Sequence, residues 1–434
     1  VAVTRPLGFR AAATTAGLKK SGKPDLALIV CDAVDAPVMK GVGHRIDPRH
    51  SSAAVFTRNA VVGAPVEIGR AWRSAMLTGE GPSLRAVLVN AGTSNAATGE
   101  EGIGDAQECM QAVADALGLR RDEVLPSSTG VIGHRIDVQK VRNALPGLVK
   151  ALSRGEEADA AAAGAIMTTD LVAKTAHREV EIGGHVVHIG AIAKGSGMIA
   201  PFLDFSGLTA GAPAPAHGTM LAFVTTDAAI DGEALQLALE SAGRESFDRI
   251  SVDAHPSCSD TVIVMASGAA PIKTIHASSP AFHGFRAALT AVCQELAEKI
   301  IRDGEGATRT FRVHVHGTRT WDEAVRIARA VVDSPLVKCA VHGKDPNWGR
   351  IVTAAGNAGI PFDPEETSLS IGGVVVYRNG KPTGSARYDE ALKAAMGADR
   401  VEMDLRVGNG PGAGWMLGCD LSRDYVRINA DYTT

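Results

Sequence analysis

Apolar residues in this chain fall into short blocks whose spacing switches repeatedly between strand and helix. Leu26-Ala-Leu-Ile-Val-Cys31 is a continuous apolar run of strand length closed by Asp32. Ala86-Val-Leu-Val-Asn90 is a second one, and it empties into the small-residue loop 91–99. From Asp105 the residues Cys109, Met110, Val113, Ala114 and Leu117 recur at helical spacing and stop near Gly118. Val124-Leu125 predicts a short strand, and Pro126-Ser-Ser-Thr-Gly-Val-Ile-Gly133 the loop after it. Val138, Val141, Leu145, Leu148, Val149 and Leu152 mark the next helix, with Pro146 as a kink. An alanine-rich helix ends near Ile166-Met-Thr-Thr-Asp170, and residues 180–189 form a hairpin turning at Gly183-Gly184.

The second half continues the pattern. An apolar strand starts near Thr219, and Asp231 caps a helix that ends at Gly243. Residues 247–252 and 262–265 predict a pair of strands joined by the polar loop 253–260. Ser279-Pro280 opens a long helix carrying Phe282, Phe285, Leu289, Val292, Leu296 and Ile300. Phe311 to His316 is a strand, and Thr320-Trp-Asp-Glu323 is a capping box before the helix to Val332. Residues 343–350 form a charged, turn-rich loop, and Asn379-Gly380 a primed hairpin turn. Residues 424–434 alternate as a closing strand, in which Asn429 is a misfit by propensity and so a site candidate. Helices and strands alternate with hairpins in both halves and no repeat is visible, which predicts a layered α/β protein with largely antiparallel sheets.

Composition narrows the classes. With 45% hydrophobic and 21% charged residues the 434-residue chain is that of a water-soluble protein large enough for two or more layers. Lys and Arg total 44 against 48 acids, a net charge of −4. No basic block suggests nucleic acid, and no apolar run reaches membrane-spanning length. The first residues carry no secretory pattern, and the six cysteines include no CxxC pair. These features predict reduced thiols, a cytoplasmic protein, and neither a zinc site nor a cofactor. His185 and His188, three apart on a strand, face opposite sides and make a poor metal pair.

Thr219 sits at a loop-to-strand junction after Gly218. As it stands it is an ordinary strand former. A chain cut before it would gain an α-amino group of pKa about 7.7–8.0, able to take the proton of the residue's own hydroxyl. Gly218 permits the tight turn that such a hydroxyl attack requires. Thr129 and Gly130 suit either a polar turn or an oxyanion-binding pair. Asp253, His255 and Cys258 crowd one loop, but proximity in sequence is not a triad. Glu305, between two glycines, is either a solvated acid or one turned into a cleft.

Five motifs, Ser128-Thr-Gly-Val-Ile-Gly133, Lys194-Gly-Ser-Gly-Met-Ile-Ala-Pro201, Thr219-Met-Leu-Ala-Phe-Val-Thr-Thr-Asp227, Lys344-Asp-Pro-Asn-Trp-Gly-Arg350 and Asn429-Ala-Asp-Tyr432, together resemble the glutamate N-acetyltransferase (ornithine acetyltransferase) family of arginine biosynthesis. The likeness runs in order through nearly the whole chain. It implies a layered α-β-β-α sandwich of the ornithine acetyltransferase / DmpA-like type with largely antiparallel or mixed sheets. It also implies self-cleavage between Gly218 and Thr219 into an α chain (1–218) and a β chain (219–434). These would stay associated, as α2β2 or a larger assembly. Thr219 would then carry acetyl from N-acetylornithine to glutamate, with Thr129 and Gly130 as the oxyanion hole. Thr168 or Thr169, Lys194, Glu305, Asn429 and Thr434 would contact the amino-acid substrates. No cofactor or metal is implied.

The chain departs from the family pattern between Lys194 and Thr219, where residues 202–217 are extra, at Gly218 where alanine is usual, in the loop 254–259, and at residues 41–52, which look inserted. Three other readings follow. One is an amidase or aminopeptidase-like hydrolase on the same scaffold. Another is a family member with a different donor or acceptor in secondary metabolism. The third is an uncleaved binding protein.

Overall fold

The computed structural model describes residues 2–32, 50–79, 81–205, 220–384 and 390–431. Gly218, Thr219 and Thr434 lie outside the described residues, as do most of the two extra segments. The chain divides into two compact units. The first holds residues up to Asp248 and His255–Ala297; the second holds Arg249–Ala254 and nearly all from Glu298 onward.

In chain order the elements are β1 (Phe9–Thr14), β2 (Leu26–Cys31), β3 (Ser51–Phe56), α1 (Ala64–Leu77), β4 (Ala86–Thr93), α2 (Gly99–Leu117), β5 (Val124–Val131), α3 (Val138–Lys150) and α4 (Glu156–Ala165). There follow β6 (Lys174–Ile182), β7 (His185–Lys194), β8 (Leu221–Thr226), α5 (Gly232–Arg244), β9 (Ile250–Ser251), β10 (Thr261–Ala266) and α6 (Pro280–Arg302). The last are β11 (Thr310–Thr318), α7 (Trp321–Val332), α8 (Pro335–His342), α9 (Trp348–Gly356), β12 (Ser368–Ile371), β13 (Val374–Arg378), β14 (Lys381–Pro382), α10 (Glu390–Gly397), β15 (Arg400–Arg406), β16 (Gly412–Cys419) and α11 (Arg423–Asp431).

The first unit contains a sheet of order β1-β2-β4-β5 and one of order β3-β10-β8-β7-β6. The run Leu26–Cys31 explains how they stack. Its odd-numbered residues Ala27, Ile29 and Cys31 join Phe9, Val87 and Val89 against Phe56, Ile192, Phe223, Ile263 and Met265 of the other sheet. Its even-numbered residues Leu26, Leu28 and Val30 pack on Met110, Val113, Val141, Leu145 and Leu148 of α2 and α3. A strand buried on both faces reads as an uninterrupted apolar run, which is why its sequence shows no alternation. On the second sheet α5 packs against β3, and Arg178 of β6 pairs with Glu295 of α6 at 2.7 Å. The order of layers is therefore helix, sheet, sheet, helix, as the resemblance implies. Antiparallel pairings predominate, with β4/β5 and β8/β10 parallel.

The second unit is built on a seven-stranded sheet of order β14-β13-β12-β15-β11-β16-β9. Phe311, Val313 and Val315 face Ile327, Val331 and Val341 of the helices, while Arg312, His314 and His316 between them are only half-buried. This is the alternation of a sheet covered on one face. Asn379 and Gly380 have φ of 51° and 75°, the left-handed pair the β13–β14 turn requires.

Four sequence expectations are corrected. Residues 424–431 form α11, not a strand: Ser422 Oγ accepts the N–H groups of Asp424 and Tyr425, and this cap outweighs the alternating pattern. Residues 250–251 do not pair with β10; they pair with β16, whereas β10 runs between β3 and β8. Thr129 and Gly130 lie within β5 and not in a loop after it. Ser51 and Ser52, read as part of a surface excursion, begin the buried strand β3.

Candidate active site

One end of the five-stranded sheet collects the chemistry. Across it the register aligns Phe56 with Thr261, Thr261 with Leu221, and Leu221 with Lys194. Met220 is thus the residue that leads into β8 beside the end of β7, and Thr219 is the residue before it. The Met220 N–H donates to Asp260 Oδ1 at 2.9 Å, and the Ser257 N–H donates to Asp260 Oδ2 at 3.2 Å. Asp260 is fully buried. Burial pushes its carboxyl up to about 7 against the pull of those two amides and of Lys194.

Lys194 is likewise buried, at the last position of β7. Its Nζ lies 3.8 Å from Asp170 Oδ2, and Lys174, also buried, reaches Asp170 Oδ1 at 2.7 Å. Asp170 further accepts the N–H groups of Gly195 at 2.7 Å and Thr168 at 3.0 Å. Burial alone would raise the Asp170 carboxyl, but the Lys194 and Lys174 ammoniums and the donors outweigh it and hold the group well below the usual carboxylate range. Two buried ammoniums sharing one carboxylate make this corner electropositive, as a site for a carboxylate-bearing ligand needs. Lys19 adds to the charge nearby, although burial brings its ammonium down to about 8. Thr168 and Thr169 are half-buried in the turn that presents Asp170.

Thr129 and Gly130 close the parallel pair β4/β5. Gly130 has φ of 129°, and a Cβ there would stand 2.5 Å from the carbonyl carbon of Gly92, so only glycine permits this approach. Ser128 Oγ donates to Asn90 Oδ1 at 2.6 Å, and Asn90 Nδ2 donates to the Thr93 carbonyl at 2.8 Å, bracing the bulge. The segment is tied to the loop that carries Asp260. The Gly63 N–H donates to the Cys258 carbonyl, its missing Cβ leaves 3.2 Å to both Ser259 Oγ and the Ser94 carbonyl, and the Ser94 N–H donates to Val131.

Within the second unit, Glu305 is buried and accepts Asn429 Nδ2 at 2.8 Å. Asn429 also donates to the Tyr425 carbonyl one helical turn back, at 3.0 Å. Gly306, at φ 67°, comes so near the Tyr425 amide that a side chain would collide with it. The structure therefore joins two residues that the sequence offered separately. Sequence reasoning missed Asp170, Lys174 and Asp260, since each looks like an ordinary polar residue flanking a turn or strand. Cys258 is buried and its thiol is pushed up by burial, which removes the thiolate a thiol protease would need.

The model of the ArgJ family matches residues 10–434. The chain belongs to the ArgJ family. It is 43% identical to the arginine biosynthesis bifunctional protein ArgJ 1 of Nostoc sp., covering 100% of this chain and 98% of the relative. It is 44% identical to the ArgJ protein of Synechococcus sp., covering 100% and 97%. The crystal structure of the Bacillus halodurans ArgJ protein is 43% identical, covers 48% of this chain and 98% of that one, and gives a TM-score of 0.46. The ornithine acetyltransferase of Mycobacterium tuberculosis, solved with ornithine, is 36% identical over 47% of this chain and 96% of that one, with a TM-score of 0.37. The family expectation drawn from the five motifs is met, and with it the enzyme class, an acyltransferase of arginine biosynthesis. Among the described residues no helix is long and apolar enough to cross a membrane.

Proposed function

We propose that this ArgJ-family chain cleaves itself before Thr219 and then moves an acetyl group from N-acetylornithine to glutamate through an acyl-threonine. Cleavage begins when the Thr219 hydroxyl attacks the Gly218 carbonyl and the peptide becomes an ester. That shift frees the α-amine of Thr219, and water then hydrolyses the ester, releasing the Gly218 carboxylate and restoring the Thr219 hydroxyl. In turnover that amine takes the hydroxyl proton as oxygen attacks the acetyl carbonyl, while Thr129 Oγ1 and the Gly130 N–H bind the oxyanion. Collapse expels ornithine, whose amine receives the proton, and glutamate attacks the acetyl ester by the reverse path.

The register that sets Lys194 beside Leu221 carries this reading, because it puts a buried ammonium next to the start of the strand that Thr219 precedes. Lys194 suits the α-carboxylate common to donor and acceptor, and Asp170 fixes it there. Glu305, paired with Asn429, is the acid offered to a substrate ammonium. Thr168, Thr169 and Thr434 complete the substrate contacts in this proposal. The α and β chains remain joined because β7 and β8, on opposite sides of the cut, pair from Ile189–Thr226 to Lys194–Leu221. We infer an α2β2 or larger assembly working in the cytoplasm, for which the six unpaired cysteines are support.

The test is isotope exchange. Labelled ornithine should enter N-acetylornithine with no glutamate present, as a ping-pong mechanism demands. Exchange that requires glutamate, or acetyl-enzyme that loses its acetyl group equally fast with and without glutamate, contradicts the proposal.

A further inference from the structure

The rim of the five-stranded sheet carries side chains that acyl transfer does not use. Edge strand β6 pairs with β7 so that Glu179 lies opposite His188, and His177 opposite Gly190. Residues two apart on a strand share a face with the residue directly across, so His177, Glu179 and His188 project together. The intervening Arg178 points to the other face, where it meets Glu295. Gly190 leaves open the space beside His177, and the backbone of Ala2 occupies it.

The donor atoms are spaced as a metal would space them. His177 Nε2 and His188 Nδ1 are 3.4 Å apart, and His188 Nδ1 is 3.3 Å from Glu179 Oε1. The three donor atoms lie within 4.8 Å of one another. A tetrahedral ion with ligands at about 2.0–2.1 Å separates them by roughly 3.3–3.4 Å, the length of both edges. The strand backbone is fixed as a platform, since the His188 N–H donates to Asp227 Oδ1 at 2.8 Å and its carbonyl accepts Thr226 Oγ1 at 2.8 Å. Arg5 contacts the same Glu179 oxygen at 3.3 Å, but both side chains are 48% exposed, so the arginine can swing aside. A second donor group, His314, His316 and Asp404, is less convergent: His314 turns to Glu402 at 3.5 Å and His316 stands 3.9 Å from Asp404.

We propose that His177, Glu179 and His188 bind a divalent ion of the zinc class, with water as the fourth ligand. Two imidazoles and a carboxylate are a donor set such ions take. His188 is six residues along β7 from Lys194, about 20 Å at the rise of a strand. The site is therefore separate from the acyl-transfer residues, and the ion clamps the edge strand to its neighbour.

Calorimetric titration of zinc chloride into the chelator-stripped full chain tests this. One ion per chain is expected, and His177→Ala, His188→Ala and Glu179→Gln should each weaken binding at least about tenfold. Acetyl transfer should be unchanged in all three, and circular dichroism without zinc should match the unaltered protein. Cobalt(II) should give the intense visible bands of a four-coordinate ion, and His314→Ala should leave affinity alone. No saturable uptake, uptake unaltered in the His177→Ala/His188→Ala double variant, or uptake abolished only by Cys339→Ser would overturn the proposal.

Discussion

Asp260 Oδ1 accepts the backbone N–H of Met220 at 2.9 Å from a fully buried position, so a carboxyl raised to about 7 holds the residue that follows the proposed nucleophile. The sign of its pH effect follows. A folded value above the ordinary 3.8 means that the group's contribution to stability is complete below that value and is lost as pH rises through about 7. In an uncleaved Thr219→Ala background, urea unfolding should show a loss of stability between about pH 5 and about pH 8 that shrinks when Asp260→Asn is added. An equal loss in both proteins would show that Asp260 does not titrate in this range. The side-chain amide introduced by Asp260→Asn keeps one acceptor and loses the other, so the variant should also process more slowly in the native Thr219 background.

Asp170 behaves in the opposite sense. Its depressed carboxyl stabilises the fold above the ordinary 3.8, and this is lost as pH falls below that value. Asp170→Ala leaves the Lys174 and Lys194 ammoniums buried without the carboxylate they share, and breaking such a group costs about 3–5 kcal/mol. Adding Lys174→Met should recover part of that loss in thermal or urea melts. A double variant no more stable than Asp170→Ala would show that the two side chains are not coupled.

Thr129 and Gly130 should fail differently. Thr129→Ala removes one of the two proposed oxyanion donors and should lower kcat by about 10²–10³ with the fold intact, and Thr129→Ser should restore most of it. Gly130→Ala should reduce soluble, folded protein, because its φ of 129° and the 2.5 Å approach to Gly92 leave no room for a Cβ. Steady-state rates for the first variant and melting curves for the second separate the two effects.

Much of the fold was legible where one local signal sufficed. The Asp231 cap, the Gly183-Gly184 hairpin and the Asn379-Gly380 turn each follow from the conformations that a few residues permit. The last helix was misread because residues 424–431 alternate in polarity, while the helical face is marked only by Tyr425 and Ile428, which are half-buried and not core. The candidate site was legible as separate motifs, but the contacts that join its residues were not. Asp170 matters because Lys174 and Lys194 reach it from two strands, and Asp260 because it meets an amide 40 residues away in sequence. His177 finds His188 only through the strand register, and no spacing rule within one strand contains that pairing.

The most direct measurement is intact mass spectrometry of the purified protein before and after incubation with N-acetylornithine. The account predicts two chains that meet at Gly218 and Thr219, with one acetyl group added to the chain beginning at Thr219. Thr219→Ala should give a single uncut chain with no adduct. A native protein that stays as one intact mass, or an acetyl group carried on any residue other than Thr219, would contradict it.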